Sequence, residues 1–252
     1  MNRPLEGQVA FVAGASRGIG AAIAEALAGA GAAVAVGART EDEGTVPGTI
    51  HGVADRIRSQ EGVAFPIRCD VTDEASVSAA IEAAVLEFGG VDIVVCNAGV
   101  VWLAPTLETP LHRWELVLLV NLTGTFLVTK AALPHLIERG GGSMIAMTTT
   151  GVTMLDRGAN AYWVSKAAVE RYYLGLANEV RQHDIAVNCL APRRVVATEG
   201  WKAFSGGMEL PEELIEPAEK VAQAAVVLAG QRPSAGGLTG TVQFSLDLLD
   251  SD

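Results

Sequence analysis

Cysteine, histidine and basic residues are all scarce in this chain, and each shortage removes a class of function. The three cysteines, Cys69, Cys96 and Cys189, are odd in number, far apart and outside any CxxC or Cys/His spacing. They read as reduced core thiols rather than disulfides or metal ligands, and a reducing, cytoplasmic setting is expected. The four histidines, His51, His112, His135 and His183, share no ligand spacing, so no metal site is expected and they read as surface or helix-end residues. Lys and Arg number 18 against 29 Asp and Glu, a net charge of −11, a sign that disfavours a phosphate backbone as partner and hence nucleic acid. The opening MNRPLEGQVAFVAG has neither a long apolar run nor a small-residue cleavage site, so no secretory signal is read there. The stretch from Gly18 to Ala38 is weakly apolar, but it is rich in Ala and Gly and carries Glu25. That composition argues for a buried strand-helix-strand unit rather than a membrane span.

What remains is ample core material. Hydrophobic residues make up 50% and charged residues 19% of 252 positions, enough for one large α/β unit that folds alone, here read as a single domain over 1–252. Short β-rich runs alternate with longer helical ones, the pattern of a parallel sheet covered on both faces. Strands are predicted near 8–13, 33–37, 63–68, 92–96, 143–148, 185–190 and 241–246. Helical spacing runs from Ile19 to Ala28, His51 to Gln60, Asp73 to Phe88, Leu111 to Glu138, Ala161 to Gln182 and Pro217 to Ala229. The result is a doubly wound, seven-stranded parallel sheet with three helices on each face. Glu41 to Gly48 reads as a loop extension. Glu199 to Glu216 breaks the β-α rhythm and suits a mobile flap over a site.

The first strand runs directly into Gly14-Ala15-Ser16-Arg17-Gly18-Ile19-Gly20 and then a helix. Small residues let a backbone approach a pyrophosphate there, and a helix N-terminus offers free N–H groups and partial positive charge. The GxxxGxG spacing differs from the commoner GxGxxG, and taken alone it also fits a tight turn that binds nothing. Tyr162 and Lys166 lie four apart on a helix and share a face. An ammonium beside a phenol stabilises the phenolate and lowers its pKa, so that the tyrosine can exchange a proton with a carbonyl or alcohol oxygen.

In their order and spacing these motifs, with Cys69-Asp70-Val71, Asn97-Ala98-Gly99, Asn121, Val187-Asn188 and Gly240, resemble the short-chain dehydrogenase/reductase family, in its short single-domain branch. The resemblance covers almost the whole chain and implies a Rossmann-type fold. It implies that Asp70, with Val71, meets the adenine, that Asn97, Ala98 and Gly99 lie against the cofactor, and that Tyr162 and Lys166 form the acid/base pair, Lys166 also anchoring a ribose. It places Thr149, 13 residues before Tyr162, where relatives carry a catalytic Ser, and Asn121 where relatives hold a water that links the Lys to solvent. A hydroxyl at 149 would steady charge on the substrate oxygen. As plain structure, Thr149 is a β-branched strand residue and Asn121 a helix-packing amide.

The second strand ends in Gly37-Ala38-Arg39-Thr40, where an adenosine ribose would sit. Ala38 stands where NAD-preferring relatives carry Asp. Arg39, with Arg17 from the Gly-rich turn, offers two guanidinium groups for a 2′-phosphate, so NADP is expected over NAD; the plain alternative leaves Arg39 solvated at the sheet edge. Two further departures are Ala13 in place of the usual Thr, and Pro192-Arg193 in place of Pro-Gly after the sixth strand. Arg193 lacks glycine's freedom at positive φ, which bears on Pro192, Val195 and Thr198 as contacts for the carboxamide and pyrophosphate. The function expected is an NADP(H)-dependent oxidoreductase interconverting a carbonyl and a secondary alcohol. The alternative from another class is a catalytically weak, cofactor-binding regulator or scaffold. A sugar-nucleotide epimerase or dehydratase fits less well, because the chain lacks the length for an added substrate domain. Val101, Trp102, Leu103, Leu155 and Trp201 suggest an apolar substrate, and Leu116, Leu119, Leu127, Tyr172, Tyr173 and Leu176 suggest a helix-to-helix interface in a homotetramer. Asp247 and Asp250 read as a solvated acidic tail.

Overall fold

The computed structural model describes residues 3–153, 158–205 and 208–250. Its seven strands are β1 (Val9–Ala13), β2 (Ala33–Ala38), β3 (Val63–Arg68), β4 (Ile93–Cys96), β5 (Gly142–Met147), β6 (Ile185–Ala191) and β7 (Thr241–Phe244). They form one sheet in the order β3-β2-β1-β4-β5-β6-β7, parallel throughout. β1, β4, β5 and β6 are buried along their whole length, which is why they read as continuous apolar runs rather than alternating ones. Pro66, which has no N–H to give, lies in the edge strand β3.

The helices are α1 (Gly18–Gly29), α2 (Ile50–Ser59), α3 (Glu74–Phe88), α4 (Leu111–Leu118), α5 (Gly124–Glu138), α6 (Asn160–Glu179), α7 (Glu199–Phe204), α8 (Ala218–Ala229) and α9 (Ser245–Leu249). Side-chain caps start several of them: Thr49 Oγ1 accepts from Gly52 N–H at 2.9 Å, and Asp73 accepts from Ala75 N–H at 3.1 Å. Two cores result. Alternate strand side chains such as Val12, Val34 and Ile145 pack against Ile23, Leu27, Ile57 and Leu228 of α1, α2 and α8. The other face, including Phe11, Val94 and Met144, packs against Ile81, Val128, Leu136 and Tyr173 of α3, α5 and α6.

Several expectations need correction. The long helix from Leu111 is broken by a π-turn at Leu119–Thr123. The run Leu111–Glu138 is long and apolar enough to cross a bilayer by length and composition, but Val117, Val120, Val128, Ala132 and Leu136 are buried in this fold. The helix from Ala161 ends at Glu179, followed by a 3₁₀ turn at Arg181–His183. Within the segment 199–216 expected as a flap, 199–204 is helical, and Ile215 forms a parallel β-bridge with Val195. The last strand stops at Phe244. The acidic end is helical rather than a tail: it turns into α9, where Leu248 is buried, while Asp247 and Asp250 are exposed as expected and Asp247 pairs with Arg193 at 3.5 Å. Tyr173 and Leu176 are core residues and offer no surface for an interface, whereas Leu116 and Leu119 are exposed.

Candidate active site

The strand order reverses between β1 and β4, and the crevice at such a switch point, outside the carboxyl ends of the strands, is where a parallel α/β sheet binds ligands. The glycine turn closes one side of it. Gly14 and Ala15 both donate to Gly37 O, at 2.7 and 3.0 Å. Asn97 Nδ2 donates to Gly14 O at 2.8 Å, and Asn97 N–H to Ala13 O at 3.2 Å, so the turn is tied down without the hydroxyl missing at Ala13. Gly14 has φ 78°, and a Cβ there would lie 2.6 Å from the backbone of Ala98; at Gly20 it would lie 2.3 Å from Gly14 O. Only glycine fits either place. Arg17 precedes α1 in extended conformation, without any side-chain cap or acidic residue in the first turn. The positive end of that helix dipole therefore faces the turn uncompensated, beside buried Ser16 and half-buried Ile19, as an anion site requires.

At the adenosine end, Ala38 closes β2 without a carboxylate, and exposed Arg39 follows, its Nη1 4.0 Å from Asp70. Asp70 Oδ1 accepts from both the N–H and the hydroxyl of Thr72, at 3.0 and 2.7 Å. Burial alone would raise the Asp70 pKa; the Thr72 hydrogen bonds, with Arg39 and Arg68, outweigh it and hold the carboxyl below its usual value. Val71 packs under Gly124, and Thr40 O accepts from Ile50 N–H at 3.0 Å. The expected clamp of Arg39 with Arg17 is not what the structure builds. Arg17 donates through Nε and Nη2 to the carbonyls of Pro47 and Gly48, at 2.9 and 2.8 Å. Arg68, the partner of Ala38 in the β2-β3 register, brings a second guanidinium into the field of Asp70, its Nε paired with Glu41 at 3.3 Å. Pairing of the two strands, once inferred, is the signal that would have found it.

On the other side, Asn121 is fully buried in the π-turn. Its Oδ1 accepts from Val100 N–H at 2.8 Å, while its Nδ2 donates to Val100 O at 3.0 Å and to Ser165 Oγ at 2.9 Å. Ser165 in turn donates to Tyr162 O at 2.6 Å. One amide thus fastens the segment after Asn97-Ala98-Gly99 to α6 at the tyrosine. A Cβ on Gly99 would meet Asn121 Oδ1 at 3.4 Å and Lys166 Nζ at 3.6 Å, so these groups converge on the same turn.

Lys166, only 4% exposed, donates to Met147 O at 2.8 Å, and its Nζ lies 5.8 Å from the centroid of the Tyr162 ring. The expected lowering of the phenol pKa does not appear: burial pushes Tyr162 up to about 12 and pulls Lys166 down to about 8. Of the three threonines after β5, Thr148 is engaged elsewhere, donating to Glu170 Oε1 at 2.6 Å. Thr149 Oγ1 accepts from Gly151 N–H at 3.2 Å, which leaves the hydroxyl proton available to a substrate oxygen. Gly151 is held against the Trp163 indole, where a Cβ would come within 2.2 Å of Nε1.

The segment after β6 departs furthest from expectation. Arg193 is not among the residues with positive φ. Its N–H donates to Glu216 Oε2 at 2.7 Å and to Ser245 Oγ at 3.1 Å, and its guanidinium lies 4.9 Å over the Phe244 ring. Pro192 is half-buried ahead of it. Val195 has both backbone groups engaged, its N–H to Leu214 O at 3.0 Å and its C=O to Glu216 N–H at 2.9 Å. Thr198 caps α7 by accepting from Trp201 N–H at 3.1 Å, and a Cβ on Gly18 would touch its side chain at 3.0 Å. Of the residues expected to line a substrate pocket, Val101, Trp102 and Trp201 are half-buried, Leu103 is exposed and Leu155 lies outside the described residues. Arg113 stacks on Trp102 at 4.7 Å.

Fold and site together define a doubly wound α/β protein with a glycine turn at the switch point of its sheet, a threonine after β5 and a tyrosine and lysine on α6. A family model described as short chain dehydrogenase matches residues 8–207, and the chain belongs to that family of oxidoreductases, the short-chain dehydrogenases/reductases. It is 36% identical over 251 residues to hydroxysteroid dehydrogenase-like protein 2 of Danio rerio, an alignment that covers 98% of this chain but 59% of that protein. It is 37% identical over 231 residues to D-threitol dehydrogenase of Mycolicibacterium smegmatis, covering 89% of this chain and 86% of that one. A solved 7α-hydroxysteroid dehydrogenase, complexed with NADH and 7-oxo glycochenodeoxycholic acid, superposes with TM-score 0.86 at 28% identity, covering 96% and 94% of the two chains.

Proposed function

We propose that the chain is an NADP(H)-dependent oxidoreductase interconverting a carbonyl and a secondary alcohol. The observation that carries this reading is the placement of Lys166 Nζ between Met147 O at the end of β5, the Tyr162 ring and the turn at Gly99, with Thr149 following β5 two residues after Met147. The residues fit a dinucleotide. Gly14, Ser16, Arg17, Gly18, Ile19 and Gly20 would hold its pyrophosphate, Asp70 and Val71 its adenine, and Asn97, Ala98 and Gly99 would lie along it. Pro192 and Val195 would flank the nicotinamide carboxamide, and Thr198, against Gly18, the pyrophosphate. When bound, the nicotinamide would supply or accept a hydride at the substrate carbon.

The protein's own part is proton handling and charge stabilisation. Thr149 donates a hydrogen bond to the substrate oxygen and keeps its proton. Tyr162 gives a proton to that oxygen in reduction and takes it back in oxidation. Lys166, with a pKa brought to about 8 by burial, favours the phenolate once it turns from Met147 O toward the phenol, and also anchors a ribose. Asn121 is the relay residue beside it. Preference for NADP is supported by Ala38, which adds no carboxylate of its own to repel a 2′-phosphate, and by Arg39 and Arg68, which a 2′-phosphate would draw from Asp70 and Glu41. A reducing, cytoplasmic setting is supported by three buried cysteines carrying free thiols.

Two related proteins pull the substrate in different directions, one named for the small polyol threitol and one complexed with a bile acid. The half-buried Val101, Trp102 and Trp201 favour the bulky apolar carbonyl. A homotetramer is supported by exposed Leu116, Leu119, Phe126 and Ile137 on the α4-α5 face, beside an apolar groove lined by Phe126, Leu133 and Tyr172. A panel of ketones and alcohols, followed by nicotinamide absorbance with both cofactors, tests the reading. Turnover of apolar carbonyls with NADPH supports it. NADPH binding without turnover across the panel moves the chain to the regulator class, and better turnover of small sugars overturns the apolar assignment. Light scattering at micromolar concentration tests the assembly, where a monomer contradicts the tetramer.

A further inference from the structure

The carboxylate of Glu216 is 1% exposed, and among the described residues no Lys or Arg side chain forms an ion pair with it. Three donors from distant parts of the chain satisfy it instead. Oε2 accepts from Arg193 N–H at 2.7 Å and Arg194 N–H at 3.1 Å, and Oε1 accepts from the hydroxyl of Ser245. Ser245 Oγ also accepts from Arg193 N–H at 3.1 Å. A buried carboxylate is costly unless several hydrogen bonds compensate it, and consecutive backbone N–H groups are a recognised anion nest. Here the anion belongs to the protein itself.

The arrangement holds a particular loop. Residues 193–198 leave the carboxyl end of β6 and reach the glycine turn, where Thr198 stands against Gly18. The backbone of Glu216 holds the same loop, its N–H donating to Val195 O at 2.9 Å. A cleft of about 640 Å³ lies between Ser16, Arg17 and Gly18 on one side and Val196, Thr198 and Glu216 on the other. Arg193, with no positive φ, has its N–H fixed by Glu216 and Ser245, so the turn expected to need glycine is held by a side chain instead.

We propose that Glu216 is a positioning residue for cofactor recognition: its carboxylate fixes the 193–198 loop against the nicotinamide half of the bound dinucleotide and leaves the adenosine half untouched. The proposal rests on the NADP(H) reading above. The test compares two ligands by calorimetry, NADPH and adenosine 2′,5′-bisphosphate, which lacks the nicotinamide half. Glu216→Gln, which removes the charge that strengthens the bonds from Arg193 and Arg194 N–H and forces Ser245 to accept rather than donate, should weaken NADPH at least about tenfold, the scale of a lost charged hydrogen bond. The bisphosphate should stay within about twofold of the parent, as for a distant site. Ser245→Ala, which keeps the carboxylate and deletes one donor, should show the same split at smaller size, and it carries the test should the Glu216 variant not fold. Equal weakening of both ligands means a merely structural role and overturns the proposal. So does unchanged NADPH affinity in both variants. A parent protein that binds neither NADPH nor NADH ends the cofactor reading, and with it this proposal, before any variant is measured.

Discussion

The two sides of the cleft are built by different means. Toward β1 and β2 the chain is shaped by its backbone: Gly14 turns at positive φ, Gly20 admits the carbonyl of Gly14, and strand-end N–H groups bond to Gly37. Toward β5, β6 and β7 it is shaped by side chains acting over long sequence separations. Asn121 joins Val100 to Ser165, Thr148 reaches Glu170, Lys166 reaches Met147, and Glu216 gathers Arg193, Arg194 and Ser245. The first side is rigid mainly through steric limits on its backbone, with the Asn97 amide as a side-chain tie to Gly14, and is suited to a constant chemical group such as a pyrophosphate. The second depends on individual polar groups, so single substitutions there can alter chemistry without altering the fold.

The largest effect is expected on the side-chain-built side. Tyr162→Phe should lower the catalytic rate about 1000-fold, within the usual range for loss of a general acid, while NADPH affinity, read by fluorescence titration, changes little. A rate within about tenfold of the parent would mean that the proton comes from another group. On the backbone-built side the matching lesion is Gly14→Ala. Its Cβ would press on the Ala98 backbone at 2.6 Å and force a non-glycine residue to φ 78°, a combined cost of about 3 kcal/mol. Urea unfolding should show that loss together with weakened cofactor binding. Parental stability in the Gly14→Ala variant would show that the turn is looser than its geometry.

Next in size is Thr149→Val, which keeps shape but removes the donor and should slow turnover about 100-fold. Thr149→Ser should retain most activity. If Val is tolerated while Tyr162→Phe is dead, the oxygen must be held by another group. Thr148 is a poor candidate because its hydroxyl is committed to Glu170. Arg39→Asp is smaller and confined to the adenosine end: it should weaken NADPH about 10- to 100-fold more than NADH. Equal effects would remove the 2′-phosphate assignment, and a further loss in the double variant with Arg68→Ala would identify Arg68 rather than Arg17 as the second guanidinium.

The same contrast explains what could be read in the sequence. β1 to β4 and their helices follow from apolar runs, caps and glycines, all local signals, and β2 and β3 end where the patterns place them or one residue away. The tyrosine and lysine share a helical face, which spacing alone reveals. The ionic and polar clamps were illegible because no local pattern marks the partner of Glu216, 23 residues from Arg193 and 29 from Ser245. Arg17 illustrates the converse: its proximity to the glycine turn was legible, but the loop at Pro47 and Gly48 that captures its guanidinium was not. Asp247 and Asp250 are exposed, as their charge implies, but that charge hides the helix α9 that carries Asp247 and runs up to Asp250. Leu248 between them is the buried contact, and a helix of five residues is fixed by that packing and not by its composition.

The smallest expected effect tests the buried charge itself. Burial brings Lys166 from 10.5 down to about 8, so between pH 8 and 10.5 the unfolded chain still binds a proton that the folded chain has released. Stability must therefore rise with pH in that window, by up to about 1.4 kcal/mol per pH unit. The buried thiols act in the opposite sense. Burial raises Cys69 and Cys189 from 9.0 to about 12, and Cys96 to about 11; above pH 9 the unfolded thiols lose protons that the folded ones keep, and stability falls. Tyr162, raised from 10.0 to about 12, adds to that fall above pH 10. The lysine's contribution is thus separable between about pH 8 and 9. Urea midpoints at about pH 7, 8 and 9 should be flat and then rise in the parent relative to Lys166→Met, in which no buried ammonium remains to release a proton. Parallel curves for the two proteins would mean that the lysine keeps its ordinary pKa in the fold, with Met147 O stabilising its charge enough to offset burial.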